Sequence, residues 1–140
     1  MQTPYSRVLI NQDAIAAVVE KIYEIQYNNA DVENANSPEA WWCYFGGEIT
    51  GAGTLDASLK NLPPVGEGTP TPTYQVAGGA EIAAMTQVTA VGTPKNDLKY
   101  CEVIGGRVKI TVTPSAPGVA GKATVVLMAN RPFNIRDVTP

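Results

Sequence analysis

The sequence predicts an α+β fold in which β dominates: an antiparallel sheet or sandwich, one N-terminal amphipathic helix packed across it, and an extended proline-rich arm. Three observations carry this. An apolar stripe recurs at helical spacing between Asn11 and Tyr27, the apolar pattern alternates with period two from residue 40 onward, and Pro63, Pro64, Pro70 and Pro72 crowd one short segment. The chain has 140 residues, the size of one domain over 1–140.

Before the helix, Tyr5 to Ile10 is apolar enough for a short strand. The helix is predicted over about 11–27. Ile15, Val18, Val19, Ile22 and Ile25, with Tyr23 beside them, follow the i, i+3, i+4, i+7 pattern of a buried stripe. Asn11 suits the N-cap, Asp13 complements the positive end of the helix dipole, and Glu20, Lys21 and Glu24 take the wet side. Asn28-Asn29 supplies a left-handed C-terminal residue, and the acidic segment from Ala30 to Glu39 reads as a loop.

Trp41-Trp42-Cys43-Tyr44-Phe45 follows. The chain has two Trp, six Tyr and two Phe, and these five positions hold four of those rings. As a strand, the run sends Trp41, Cys43 and Phe45 to one side and Trp42 and Tyr44 to the other. Each buried aromatic withdraws about 150–250 Å² from water, so one face at least belongs to the core. The other face is core too, or docks on a partner subunit through Trp42 and Tyr44, or offers a Trp as a stacking platform for a sugar.

From Leu62 to Thr73, "LPPVGEGTPTPT" excludes a central strand and a helix and reads as a polyproline-like arm or a surface loop over about 62–73. Tyr74 to Ala77 and Thr86 to Val91 are weaker strand signals. "LKYCEVI" and "RVKITVT" flank Gly105-Gly106, which predicts a two-residue β-hairpin over about 98–113. Its register would place Val103 against Val108, Glu102 against Lys109 and Cys101 against Ile110, and would collect Cys101, Val103, Val108, Ile110 and Val112 on one apolar face. Thr124 to Ala129, nearly all apolar, reads as a strand covered on both faces.

Composition limits the function. Charged residues make up 16% of the chain, against about 25% in an average protein, and the surface is correspondingly free to make extensive contacts. Net charge is −3 with no basic stripe, so nucleic acid is not an expected partner. Residues 1–70 hold three basic and nine acidic side chains and residues 71–140 seven and four, which suits attraction between the two ends of neighbouring copies or simply solvated faces. No stretch is apolar enough for a membrane-spanning helix, and "MQTPYSRVLI" has no signal-peptide pattern. Folding in a reducing cytoplasm is expected, with Cys43 and Cys101 free and packed as small hydrophobes.

Catalytic machinery is not expected. The absence of histidine removes the commonest general base, nucleophile-activating base and metal ligand. The two cysteines lack zinc-site spacing, "GEITGAGT" lacks the lysine of a phosphate loop, and "DVEN" lacks the glycine and terminal glutamate of a calcium loop. No catalytic, cofactor or metal residue is therefore assigned; the candidate interface residues are Trp42, Tyr44, Pro63, Pro64, Pro70 and Pro72.

With its Thr/Val/Ala/Gly/Pro-rich β body, arm-like "LPPVGEGTPTPT", lack of histidine and lack of an export signal, the chain resembles the small structural proteins of tailed bacteriophage particles. That resemblance implies a non-enzymatic virion component assembled in the host cytoplasm, either a capsid decoration (cement) protein or a tail or neck subunit. Its partners would be copies of itself or other capsid or tail proteins. A soluble carbohydrate- or ligand-binding module using an exposed Trp is the alternative.

Overall fold

The computed structural model describes residues 5–27, 38–62, 80–103, 106–115 and 121–140. Among these the secondary structure is β throughout: β1 (Tyr5–Gln12), β2 (Val19–Tyr27), β3 (Trp41–Ile49), β4 (Leu55–Leu62), β5 (Ala80–Ala84), β6 (Lys95–Cys101), β7 (Arg107–Pro114), β8 (Gly121–Ala129) and β9 (Phe133–Asp137). They form a four-stranded sheet in the order β1-β8-β3-β6 and a five-stranded sheet in the order β5-β4-β7-β2-β9. Every pairing is antiparallel.

The order has a simple logic. β1 pairs with β8, β2 with β7, β3 with β6 and β4 with β5. The first eight strands are thus one long hairpin, rolled so that successive pairs fall alternately in the two sheets. This is jelly-roll connectivity, to which β9 adds an edge beside β2.

The predicted α+β class is therefore corrected to all-β, and the helix over 11–27 does not exist. Asn11 and Gln12 finish β1, and Val19–Tyr27 is β2, held between β7 and β9. The segment satisfies both periods: Val19, Tyr23 and Ile25 also lie on one side of a strand. Its β-branched and aromatic content favours the extended form, and ladders to β7 over Val19–Glu24 and to β9 over Tyr23–Tyr27 pair its backbone along the whole strand. Val18, which the helical stripe would bury, is 56% exposed. Ile15 is buried all the same, with its N–H bonded to the Gly121 carbonyl at 2.9 Å.

The hairpin over 98–113 is also corrected. β6 and β7 lie in different sheets. Cys101 faces Trp41 across the ladder, and Ile110 lies between Lys21 and Leu59. Lys109 pairs with Glu20 at 3.2 Å, where the hairpin would have given it Glu102. Gly106, at φ +77°, sits where the chain passes from one sheet to the other. Thr86 to Val91 contributes only an isolated bridge, between Val88 and Leu55. The arm at 62–73 and the weak strand at 74–77 lie outside the described residues, except that Leu62 ends β4.

Both sheets send apolar side chains into one core. Cys43, Phe45, Val125, Leu127 and Ala129 meet Leu55, Leu59, Val108, Ile110 and Val112, all fully buried. Trp41 stands edge-on to Phe133 of the opposite sheet, with centroids 4.9 Å apart. β8 is covered on its inner face only; Thr124, Val126 and Met128 on its outer face are half-buried.

A bulge between Val8 and Ile10 takes Leu9 out of the β1–β8 ladder. Its carbonyl accepts the Tyr23 hydroxyl at 2.8 Å, which ties β2 to β1 across the sandwich. Burial, and next the nearby Asp137 charge, raise the Tyr23 pKa above its ordinary 10.0. With the folded-state value above the unfolded one, the stabilisation is complete below pH 10 and is lost as pH rises through the folded-state value. Tyr23→Phe is expected to cost about 1 kcal/mol at neutral pH and to flatten the alkaline limb of a urea-unfolding series. An unchanged limb would show that the phenol is not the titrating group.

Candidate functional site

The two outer faces of the sandwich differ in chemistry. On the five-stranded sheet, polar and charged side chains meet in cross-strand rows. Asp56 lies beside Thr113, Thr111 between Ser58 and Glu20, and Glu24 between Arg107 and Arg136. Arg136 donates to Glu24 at 2.9 Å.

The four-stranded sheet presents another surface. One row runs Val8–Val126–Tyr44–Leu98, and the next runs Ser6–Met128–Trp42–Tyr100. All but Ser6 are apolar or aromatic. Trp42 and Tyr44 point outward, as the alternation of β3 requires, while Trp41, Cys43 and Phe45 are buried beneath them. Leu98 is 63% exposed, Tyr100 59% and Val8 55%. Trp42 and Tyr100 contact edge-to-face, centroids 6.2 Å apart, at the β3–β6 side of the apolar zone.

The third row is polar: Asn11, Thr124, Gly46 and Asn96. Here the face sinks into a groove of about 220 Å³ lined by Tyr44, Gly46, Gly47, Glu48, Pro94, Asn96, Lys122 and Thr124. Its shape follows from Gly46. A Cβ on Gly46 would stand 2.8 Å from the Tyr44 hydroxyl and 3.3 Å from its ring carbons, so the bare Gly46 backbone is what lets that ring lie along the sheet. A Cβ on Gly47 would stand 3.2 Å from the Met85 sulfur on the core side. The Tyr44 hydroxyl donates to Asn96 Oδ1 at 2.6 Å, which fixes the ring. Lys122 and Glu48 close the end of the groove as an ion pair at 3.6 Å, and Thr124 donates to Asn11 Oδ1 at 3.4 Å.

Sequence reasoning places Trp42 and Tyr44 on one face but misses the groups that converge on them. Leu98, Tyr100 and Asn96 arrive from β6, and Val126, Met128 and Thr124 from β8. No local signal announces this; only the long-range register does. Pro63, Pro64, Pro70 and Pro72 lie outside the described residues.

Cys43 and Cys101 are free and buried on the core side. Burial, with the neighbouring Cys101 thiol, pushes the Cys43 thiol well above its ordinary range, and burial pushes Cys101 to about 11. Both therefore stay protonated at neutral pH and serve as packing groups. Among the described residues no three His, Cys, Asp or Glu side chains gather as a metal site.

No protein-family model matches the chain, and no curated protein does either. Similar solved structures include the carbohydrate-binding module TmCBM61 in complex with β-1,4-galactotriose, at 12% identity and TM-score 0.38, the match covering 89% of this chain and 67% of that one. They also include a viral capsid protein, from the structure of infectious bursal disease virus Gx strain, at 11% identity and TM-score 0.39. That match covers 98% of this chain and 37% of the viral chain.

Proposed function

We propose that this chain is a non-enzymatic structural subunit of a virus particle, of the tailed-bacteriophage type its composition resembles. It is assembled in the host cytoplasm, and it docks on copies of itself or on neighbouring capsid or tail subunits through the outer face of the four-stranded sheet. The observation that carries this reading is the contrast between the two outer faces. One sheet gives its outward positions mostly to polar and charged side chains, with a buried Ile22 among them. The other gives the same kind of position to Trp42, Tyr100, Leu98, Val126, Met128 and Val8. A contiguous apolar field that holds aromatic rings is what interfaces select. Jelly rolls serve capsids and lectins alike, so the fold agrees with this reading by analogy alone.

Each such face makes a modest contact, and repetition over a symmetric particle multiplies it. Sedimentation velocity across a concentration series tests the reading. Reversible self-association that grows with concentration, or co-sedimentation with a capsid or tail partner, is the expected result. A chain that remains monomeric throughout and binds no particle component overturns it.

A further inference from the structure

The apolar rows do not account for the groove beside them. Its parts have a chemistry of their own. The Tyr44 ring lies over Gly46 and is tethered to Asn96, so its orientation is set before any ligand arrives. Tyr44 is itself only half-buried. Asn96 spends Oδ1 on that tether, and among the described residues its Nδ2 makes no hydrogen bond. Thr124 supplies a further hydroxyl from the same row, positioned by its hydrogen bond to Asn11 Oδ1 outside the groove. At the end of the groove Glu48 and Lys122 are both partly exposed and neutralise each other, which leaves donors and acceptors without a net field.

We propose that this groove binds a neutral pyranose unit of a glycan. A pyranose ring has one face rich in C–H bonds and a rim of hydroxyls, each both donor and acceptor. The fixed phenol ring matches the first, and Asn96, Thr124 and the Glu48–Lys122 pair match the second. The opposed charges select against anionic ligands such as phosphates, because any anion approaching Lys122 also meets Glu48. The volume, about 220 Å³, suits a single ring and is smaller than the pockets that enclose drug-sized ligands. This site differs from the apolar rows in chemistry but shares Tyr44 with them, so the proposal is for the free subunit, in which that ring is open to solvent on one side.

An array of neutral and acidic glycans, followed by calorimetric titration of the strongest neutral hit into the whole chain, tests the proposal. The expected result is a neutral hexose-containing hit whose affinity falls at least about tenfold in Tyr44→Ala. The loss should be smaller in Tyr44→Phe, which keeps the ring and frees it from Asn96. Asn96→Ala, an exposed substitution, is expected to weaken binding without altering the circular dichroism spectrum, and it decides between the outcomes should Tyr44→Ala fail to fold. Absence of any neutral hit, binding confined to acidic glycans, or affinity unchanged in Asn96→Ala overturns the proposal.

Discussion

Phe45→Ala is expected to destabilise the fold by about 3–5 kcal/mol. The side chain is fully buried in β3, between Val125 of β8 and Asp97 of β6 along the sheet. Truncation removes the ring's transfer free energy and leaves a cavity that β8 and β6, locked by their ladders, cannot close. Asp97 makes matters worse. It lies on the inner side of edge strand β6, and its carboxylate accepts from the Thr86 N–H at 2.7 Å and from the Thr86 hydroxyl at 3.2 Å. A void beside it brings water or an unsolvated charge toward the core. Total stabilities run to about 5–15 kcal/mol, so the variant sits near the edge of folding. At about 3 °C per kcal/mol for a chain of this size, Tm falls by roughly 9–15 °C. Urea and thermal unfolding measure it; a loss below about 1 kcal/mol would mean that β3 is not a central core strand.

That prediction rests on the alternation of β3, which is legible in the sequence. The period of two correctly separates the inner from the outer side chains of β3 and β7, whereas the nearly continuous apolar run of β8 hides that only one of its faces is covered. It does not tell which strand pairs with which. The predicted hairpin collects Cys101, Val103, Val108, Ile110 and Val112 on one face, and of these only Val103 is not fully withdrawn from water. The faces are right because both sheets of a sandwich point into one core. The pairing is wrong because alternation is blind to whether two strands lie side by side or one above the other. The same blindness hides the groove, whose residues come from β3, β6 and β8, with Pro94 just before β6.

The false helix has a different cause. In Val19–Tyr27 the side chains at spacings of three and four are apolar, and so are most of those at spacings of two. Periodicity alone leaves the two states close, and tertiary pairing decides. Tyr23 shows the consequence: as a strand residue it reaches across to the bulged Leu9, a contact that no helical register would make.

Trp42→Ala is expected to weaken the proposed self-association by at least about 2 kcal/mol, roughly 30-fold, while the isolated subunit stays folded. The two effects separate because Trp42 contributes differently to each. In the subunit it is half-exposed, and its main aromatic contact is the edge-to-face pair with Tyr100, worth about 0.5–1.5 kcal/mol. In an assembly the whole ring would leave water within the apolar rows, with Met128 on one side and Tyr100 on the other. Thr113→Ala, an exposed change on the polar face of the other sheet, is the matched control and is expected to leave association unaltered. Sedimentation equilibrium read beside circular dichroism distinguishes the outcomes. If Trp42→Ala unfolds the subunit, the ring is core rather than interface. If Trp42→Ala and Thr113→Ala associate alike, the apolar rows are not where copies meet.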